Sequence, residues 1–196
     1  MKICMVGAGY VGLVSGACFA DLGNTVWCVD KNKQKINELN NNKIPIFEPG
    51  LKELIHKNFS SGRLIFTSDL HSAVKNSDIV FICVGTPTLK KSRSADLRNV
   101  FEVAKKISKC IDRFKIIVTK STVPVSTGDK IERMISKRKK KKLFEVISNP
   151  LSLANLRPSE SGSMPITEIN SRISEVSKIF TINSLTETQR INIAMK

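Results

Sequence analysis

Short apolar runs alternate with amphipathic stretches over the first 150 residues. Lys2–Val6 (KICMV) is apolar after its first residue and meets a glycine turn, as expected of a strand covered on both faces. Tyr10–Leu22 is long enough for a helix, and Gly23 closes it because glycine readily adopts the left-handed conformation beyond a helix end. Thr25–Val29 is β-branched and aromatic and reads as a second strand. Asn32–Asn41 puts Ile36 and Leu39 on one helical face, and Gly50–Asn58 reads as a short helix after a proline-containing loop. The alternation continues with a strand at Leu64–Thr67, a helical turn at Leu70–Lys75 and a central strand at Asp78–Val84 (DIVFICV). Helix Asp96–Cys110, strand Lys115–Thr119 (KIIVT), helix Thr127–Arg138 and strand Phe144–Ile147 complete it. Strands alternating with helices predict an α/β fold, a doubly wound and mostly parallel sheet with helices on both faces.

The pattern changes near Pro150. Beyond it, Ile166, Ile169, Ile173, Val176 and Phe180 keep helical spacing, so one amphipathic helix is expected near 167–180. The rest of 151–196 is rich in serine and carries no alternation, and it is expected to be a divergent tail, partly helical or disordered. The organisation is thus a domain over 1–150 and a tail over 151–196.

Composition sharpens this picture. With 41% apolar and 25% charged residues in 196, the chain is globular in character and long enough to bury a core without disulfides or metals. The net charge is +15, of which +14 falls within residues 1–150. Such a charge attracts polyanions. Lys137–Lys142 (KRKKKK) concentrates it, so a basic polyanion binder is one function class. No interleaved aromatics or nucleic-acid-binding motif accompanies that run, and nucleic acid is not expected as a partner. Five cysteines, an odd number with no C-x-x-C, argue against a disulfide framework or a metal site and for the reducing cytoplasm. No apolar run reaches transmembrane length. Lys2 and the apolar residues after it also fit a secretory leader, but three glycines within the first dozen residues suit a strand and turn better.

Candidate chemistry begins at Gly7-Ala8-Gly9-Tyr10-Val11-Gly12, a G-x-G-x-x-G directly after a predicted strand and opening a predicted helix. Gly7 allows a tight turn, Gly9 lets the backbone approach a pyrophosphate, and Gly12 allows close helix packing, so the fold becomes Rossmann-like. The free N–H groups and positive dipole end of the helix face the phosphates. Asp30 ends the second strand 18 residues after Gly12, where a carboxylate accepts both adenosine ribose hydroxyls and repels a 2′-phosphate. The expected cofactor is therefore NAD rather than NADP. Gly85-Thr86-Pro87 and Lys120-Ser121-Thr122-Val123-Pro124 follow two further strands at the end of the sheet where such folds bind ligands. From spacing alone, an ordinary turn explains them equally well.

Taken together, these segments resemble the UDP-glucose/GDP-mannose dehydrogenase family. The resemblance is carried by Lys2–Gly16, Cys28–Lys31 with Lys35, Glu48-Pro49-Gly50-Leu51, Val84–Pro87, Ser94–Leu97, Lys120–Val125 and Ser148-Asn149-Pro150. It implies the NAD-binding part of an enzyme that oxidises UDP-glucose to UDP-glucuronate with two NAD. It also implies that Tyr10 and Val11 lie at the pyrophosphate turn, Asp30 and Lys35 at the adenosine ribose, and Thr86 and Thr122 on the nicotinamide side. Thr122 would also lie near the reacting carbon, which makes it the one catalytic candidate.

The departures limit the resemblance. Leu151-Ser152-Leu153-Ala154-Asn155 stands where the family carries a Glu-Phe-Leu stretch, and Ser126 stands where it usually has glycine. Lys90-Lys91-Ser92-Arg93 occupies a loop that is usually acidic. The family's Gly-Gly-Ser-Cys motif, which supplies the nucleophile of the second oxidation, is absent from these 196 residues. The expectation is a chain that binds NAD but is inactive alone, truncated or divergent after Pro150, and able to meet UDP-glucose only with a second half. That half would come from a partner chain; a homodimer is a further possibility. The alternative is a non-catalytic remnant or regulatory NAD-binding module.

Overall fold

In the computed structural model the described residues are 1–89, 94–124, 126–140 and 143–148, all within one unit, Met1–Arg157. The amphipathic helix expected near 167–180, the boundary at Pro150, the loop 90–93 and the last two lysines of the basic run lie outside them.

Six strands form one parallel sheet: β1 (Lys2–Val6), β2 (Thr25–Val29), β3 (Leu64–Thr67), β4 (Ile79–Ile82), β5 (Lys115–Thr119) and β6 (Phe144–Ser148). Their order is β3-β2-β1-β4-β5-β6, which is the doubly wound arrangement. The chain leaves β1 in one direction and returns to its other side at β4, so a crevice opens beyond the carboxyl ends of these two strands. The helices are α1 (Tyr10–Asp21), α2 (Lys33–Asn40), α3 (Leu51–Ser60), α4 (Leu70–Asn76), α5 (Arg98–Cys110) and α6 (Thr127–Ser136).

The strand period of two divides the core between both faces. Cys4, Val6, Val80 and Ile82 pack with Val100, Ala104 and Ile107 of α5 and with Ile131 and Ile135 of α6. On the other face Phe81 meets Phe19 of α1 at 5.2 Å between ring centroids. Residues Ile79–Ile82 are buried on both faces, hence the unbroken apolar run in that strand.

Local chemistry moves several element ends from their predicted places. Gly50 has φ +77, so it precedes α3 rather than opening it. The Asn32 side chain accepts from the Lys35 N–H and caps α2 instead of joining it. Asp96 uses its carboxylate on the Arg98 N–H and guanidinium, so α5 starts at Arg98 and not at Asp96. β4 ends at Ile82, two residues early, because Lys120 and Ser121 donate their N–H groups to the Ile82 carbonyl where the chain turns.

All five cysteines are free and buried. Among the described residues no helix is long and apolar enough to cross a membrane, and no group of three or more His, Cys, Asp or Glu is placed to hold a metal ion.

Candidate functional site

The turn between β1 and α1 is built by two glycines with little room. Gly7 has φ +112, and a side chain there would come within 2.7 Å of the Cys83 carbonyl oxygen. At Gly12 a Cβ would lie 1.8 Å from the Gly7 carbonyl oxygen, so the helix could not close onto its own turn. Gly9 differs: its φ is −86, and a Cβ there would meet nothing within 4 Å. The space above Gly9 is open, and the first N–H groups of α1 border it. Gly16, not singled out from sequence, proves as tight as the motif glycines. A Cβ there would be 2.6 Å from Cys28 Sγ, so it sets how closely α1 lies on β1 and β2.

A cavity of about 340 Å³ opens at this turn. Gly7, Gly9, Asp30 and Lys35 all line it, joined by Cys83, Gly85, Lys31, Asn99, Glu102 and Lys106. Asp30 is held firmly. One oxygen accepts from the Ala8 N–H at 3.1 Å and from Lys35 Nζ at 2.9 Å, and the other from the Asn32 N–H at 2.9 Å. Burial pushes its carboxyl up, but the Asn32 N–H, the Lys35 ammonium and the Ala8 N–H together hold it below the usual aspartate value. Lys35 is thus engaged with Asp30 rather than merely solvated.

The other predicted residues fall around this cavity rather than on its wall. Gly12 lies beneath it, and half-buried Val11 continues the helix. Tyr10 turns aside and donates its hydroxyl hydrogen to Glu48 Oε2. Thr86 and Thr122 come together: Thr86 Oγ1 donates to the Thr122 carbonyl at 2.9 Å, tying the turns after β4 and β5. Ser121 Oγ reinforces the tie by donating to the Val84 carbonyl at 2.7 Å. Between them the Lys120 ammonium is depressed below its ordinary value by burial, a shift the neighbouring Cys83 opposes.

Sequence reasoning missed the wall contributed by α5. Asn99, Glu102 and Lys106 share one helical face, but a polar stripe on a lysine-rich chain looks the same whether it faces a cavity or water. It also missed Glu48, which is buried although charged by type; its Oε1 has no hydrogen-bond partner among the described residues. Cys83 falls within the strand expected at Asp78–Val84. It is buried, yet it follows β4 and lines the cavity.

Comparison with known proteins decides the family. The model of the UDP-glucose/GDP-mannose dehydrogenase family, NAD binding domain, matches residues 1–159. The chain belongs to this family. Its cofactor is accordingly NAD. A UDP-glucose 6-dehydrogenase of Rhizobium meliloti is 54% identical over 150 residues, covering 76% of this chain and 34% of that protein. Another from Bacillus subtilis is 49% identical over 150 residues, covering 76% of this chain and 32% of that one. Among solved structures, a ternary complex of GDP-mannose dehydrogenase from Pseudomonas aeruginosa superposes with a TM-score of 0.73 at 37% identity, covering 78% of this chain and 36% of that one. The chain therefore spans about a third of the length of the relatives it matches.

Proposed function

We propose that this chain is an NAD-binding module of a UDP-glucose 6-dehydrogenase type enzyme, in a reducing, cytoplasmic setting. On this reading it does not oxidise UDP-glucose as the 196-residue chain alone. The observation that carries the cofactor site is the contrast between two glycines. Gly12 has its space filled by the Gly7 carbonyl, whereas Gly9 faces open space at a helix N-terminus beside Asp30. A dinucleotide fits that donor set: bare N–H groups for a pyrophosphate and a carboxylate for a ribose diol.

In this reading Gly7, Gly9, Tyr10, Val11 and Gly12 form the pyrophosphate turn; the free N–H groups at the start of α1 donate, while the Gly7 N–H is held by the Val29 carbonyl at 2.7 Å. Asp30 accepts from the adenosine ribose hydroxyls, and Lys35 holds the Asp30 carboxylate in place. Thr86 and Thr122, already joined to each other, flank the nicotinamide side. Bound there, the nicotinamide supplies a hydride acceptor. Thr122 is the one residue here proposed to reach toward the reacting carbon. The covalent second oxidation needs a thiolate from a Gly-Gly-Ser-Cys segment, which these residues do not include. All five cysteines are buried, and Cys83 at the cavity wall has its thiol pushed up to about 12 by burial, so it is a poor nucleophile. UDP-glucose and a segment that supplies that thiolate complete the enzyme.

The test is a fluorescence titration of NADH against the purified chain beside Gly9→Ala and Asp30→Ala. Saturable binding is expected, weakened about tenfold or more by each variant, since each removes charge-assisted or close backbone contacts. Gly9→Ala keeps the melting temperature nearly unchanged, because its methyl meets no protein atom. With UDP-glucose and NAD together, no NADH forms above the sugar-free control. Absence of saturable NADH binding, or sugar-dependent NADH formation by this chain alone, would refute the respective half of the proposal.

A further inference from the structure

The start of α1 has little of its own to hold it. Two of the three residues before it are glycines, which lose more conformational freedom on folding than any other residue. Its N-cap, Gly9, has no side chain to cap the first N–H groups, and its first turn carries no acidic residue. One flank of the turn is tied to β2, through the Gly7 N–H on the Val29 carbonyl and the Ala8 N–H on Asp30. The other flank is tied by Tyr10, the first residue of α1, whose hydroxyl donates to Glu48 Oε2. Tyr10 is 46% exposed, but Glu48 is only 5% exposed. Among the described residues this hydroxyl is the one hydrogen-bond donor to the Glu48 carboxylate. Glu48 is anchored in turn: its carbonyl accepts the Leu51 N–H at 3.1 Å where α3 begins, and α3 packs along α1. A second tie joins the far ends of the same two helices. Lys57 Nζ and Asn58 Nδ2 donate to Asp21 Oδ1 at 2.7 and 3.2 Å. α3 therefore clamps α1 at both ends, and the Glu48 end is the one beside the free N–H groups.

We infer that Glu48 is a positioning residue of the cofactor site: through the Tyr10 hydroxyl it fixes the first turn of α1, and so the direction of the N–H groups that receive a pyrophosphate. The inference rests on the proposed cofactor site and deepens it. Neither Glu48 nor Tyr10 lines the cavity, so the tie reaches a ligand only through the backbone of α1. A diphosphate gains from several N–H groups only when they point at it together. With the tie cut, that alignment has to be established on binding, and the ordering is subtracted from the affinity. Adenosine, which meets Asp30 and not the helix start, is indifferent to it.

The experiment titrates NADH on the full chain and then displaces it with ADP or with adenosine, which lacks the pyrophosphate. The same is done for Tyr10→Phe, Glu48→Ala, Glu48→Gln, Lys57→Ala and the double variant Tyr10→Phe with Glu48→Ala. Tyr10→Phe and Glu48→Ala should each weaken ADP about threefold to tenfold, the net worth of one hydrogen bond, and adenosine by less than about twofold. The double variant should bind ADP no more weakly than Glu48→Ala, because both changes cut the same tie. Glu48→Gln keeps an acceptor oxygen for the hydroxyl and should lose less than Glu48→Ala. Lys57→Ala cuts the far tie and should lower the melting temperature while leaving ADP affinity unchanged. The inference is overturned by wild-type ADP affinity in Tyr10→Phe, by equal losses for ADP and adenosine, or by losses that multiply in the double variant. An ADP loss in Glu48→Gln equal to that in Glu48→Ala, or in Lys57→Ala equal to that in Tyr10→Phe, overturns it too. If the wild type binds neither NADH nor ADP, the cofactor site itself fails and the inference with it. Should Glu48→Ala lose its fold by circular dichroism, Tyr10→Phe decides, since it cuts the tie while keeping the ring.

Discussion

Tyr10 is the single tyrosine of the chain, which makes one side chain directly readable at the first residue of α1. Burial, then the hydrogen bond to Glu48 and the charge of that carboxyl, push its hydroxyl up from 10.0 to about 12. The bond joins the first residue of α1 to the loop before α3, residues 38 apart in sequence. Because the folded value lies above the unfolded one, the protonated form favours folding. That contribution is complete below about pH 10 and is lost as pH rises through about 12. A tyrosinate absorbance titration should therefore have a midpoint near 12. In Glu48→Gln it should fall part of the way back, since burial, the larger cause, is still present. A wild-type midpoint at the ordinary tyrosine value would mean that the two side chains do not meet in solution. Tyr10→Phe leaves the buried Glu48 carboxyl with no hydrogen-bond partner among the described residues and should cost about 1–3 kcal/mol by denaturant unfolding.

At the scale of elements, α6 carries a strain at its entry, where Ser126 stands in place of the family's usual glycine. Ser126, the residue before its first turn, has φ +74, a conformation that crowds any Cβ. The left-handed region costs a non-glycine residue about 1–2 kcal/mol, and glycine returns part of that as lost chain entropy. Ser126→Gly should therefore stabilise the domain by about 0.5–1 kcal/mol, seen as a higher melting temperature, with NADH affinity unchanged. A lower melting temperature would show that the serine is not strained. The element pattern itself was legible from the chain. β4 and β1 announce themselves as apolar runs, and the G-x-G-x-x-G marks the β1–α1 turn, because both follow from periodicity and local backbone demands. Asp30 was legible for the same reason, since its spacing from the glycines places it at the end of β2, whereas Lys35 came only from the family resemblance. Glu48 and the α5 wall were not. Which surface a polar helix face meets, or whether a loop carboxyl is buried, depends on contacts between segments far apart in sequence, and a single chain's local pattern carries no record of them.

For the molecule as a whole, the two ends of the sheet do different work, and Lys115 shows it. This lysine begins β5 with a fully buried side chain, a rare place for an ammonium. It survives there because its Nζ donates to the Ser77 carbonyl at 2.7 Å and the Lys75 carbonyl at 3.2 Å, with Asp112 3.7 Å away. These carbonyls close α4 and lead into β4, so the lysine staples the amino end of the sheet. Burial, and secondarily the nearby Arg113, hold its ammonium below the ordinary lysine value, and Asp112 and Asp78 oppose that shift. The cofactor cavity lies beyond the carboxyl ends of the strands, about 13 Å away along a five-residue strand. Lys115→Met keeps most of the apolar bulk but takes the side-chain donor from the Lys75 carbonyl and leaves the Ser77 carbonyl to the longer bond from Arg113 at 3.4 Å, at about 1–3 kcal/mol for a buried group left unpaired where no water replaces it. The expected result is a chain about 1–3 kcal/mol less stable to urea, with NADH binding to the folded fraction unchanged, because distant sites act additively. The pH response separates the staple from simple packing. A lysine whose folded value is lowered opposes folding while both states are charged elsewhere, so the wild-type chain gains stability relative to Lys115→Met as pH rises from the folded value toward the unfolded one. A difference between the two that does not change with pH would mean that the side chain contributes by its volume and not by its charge.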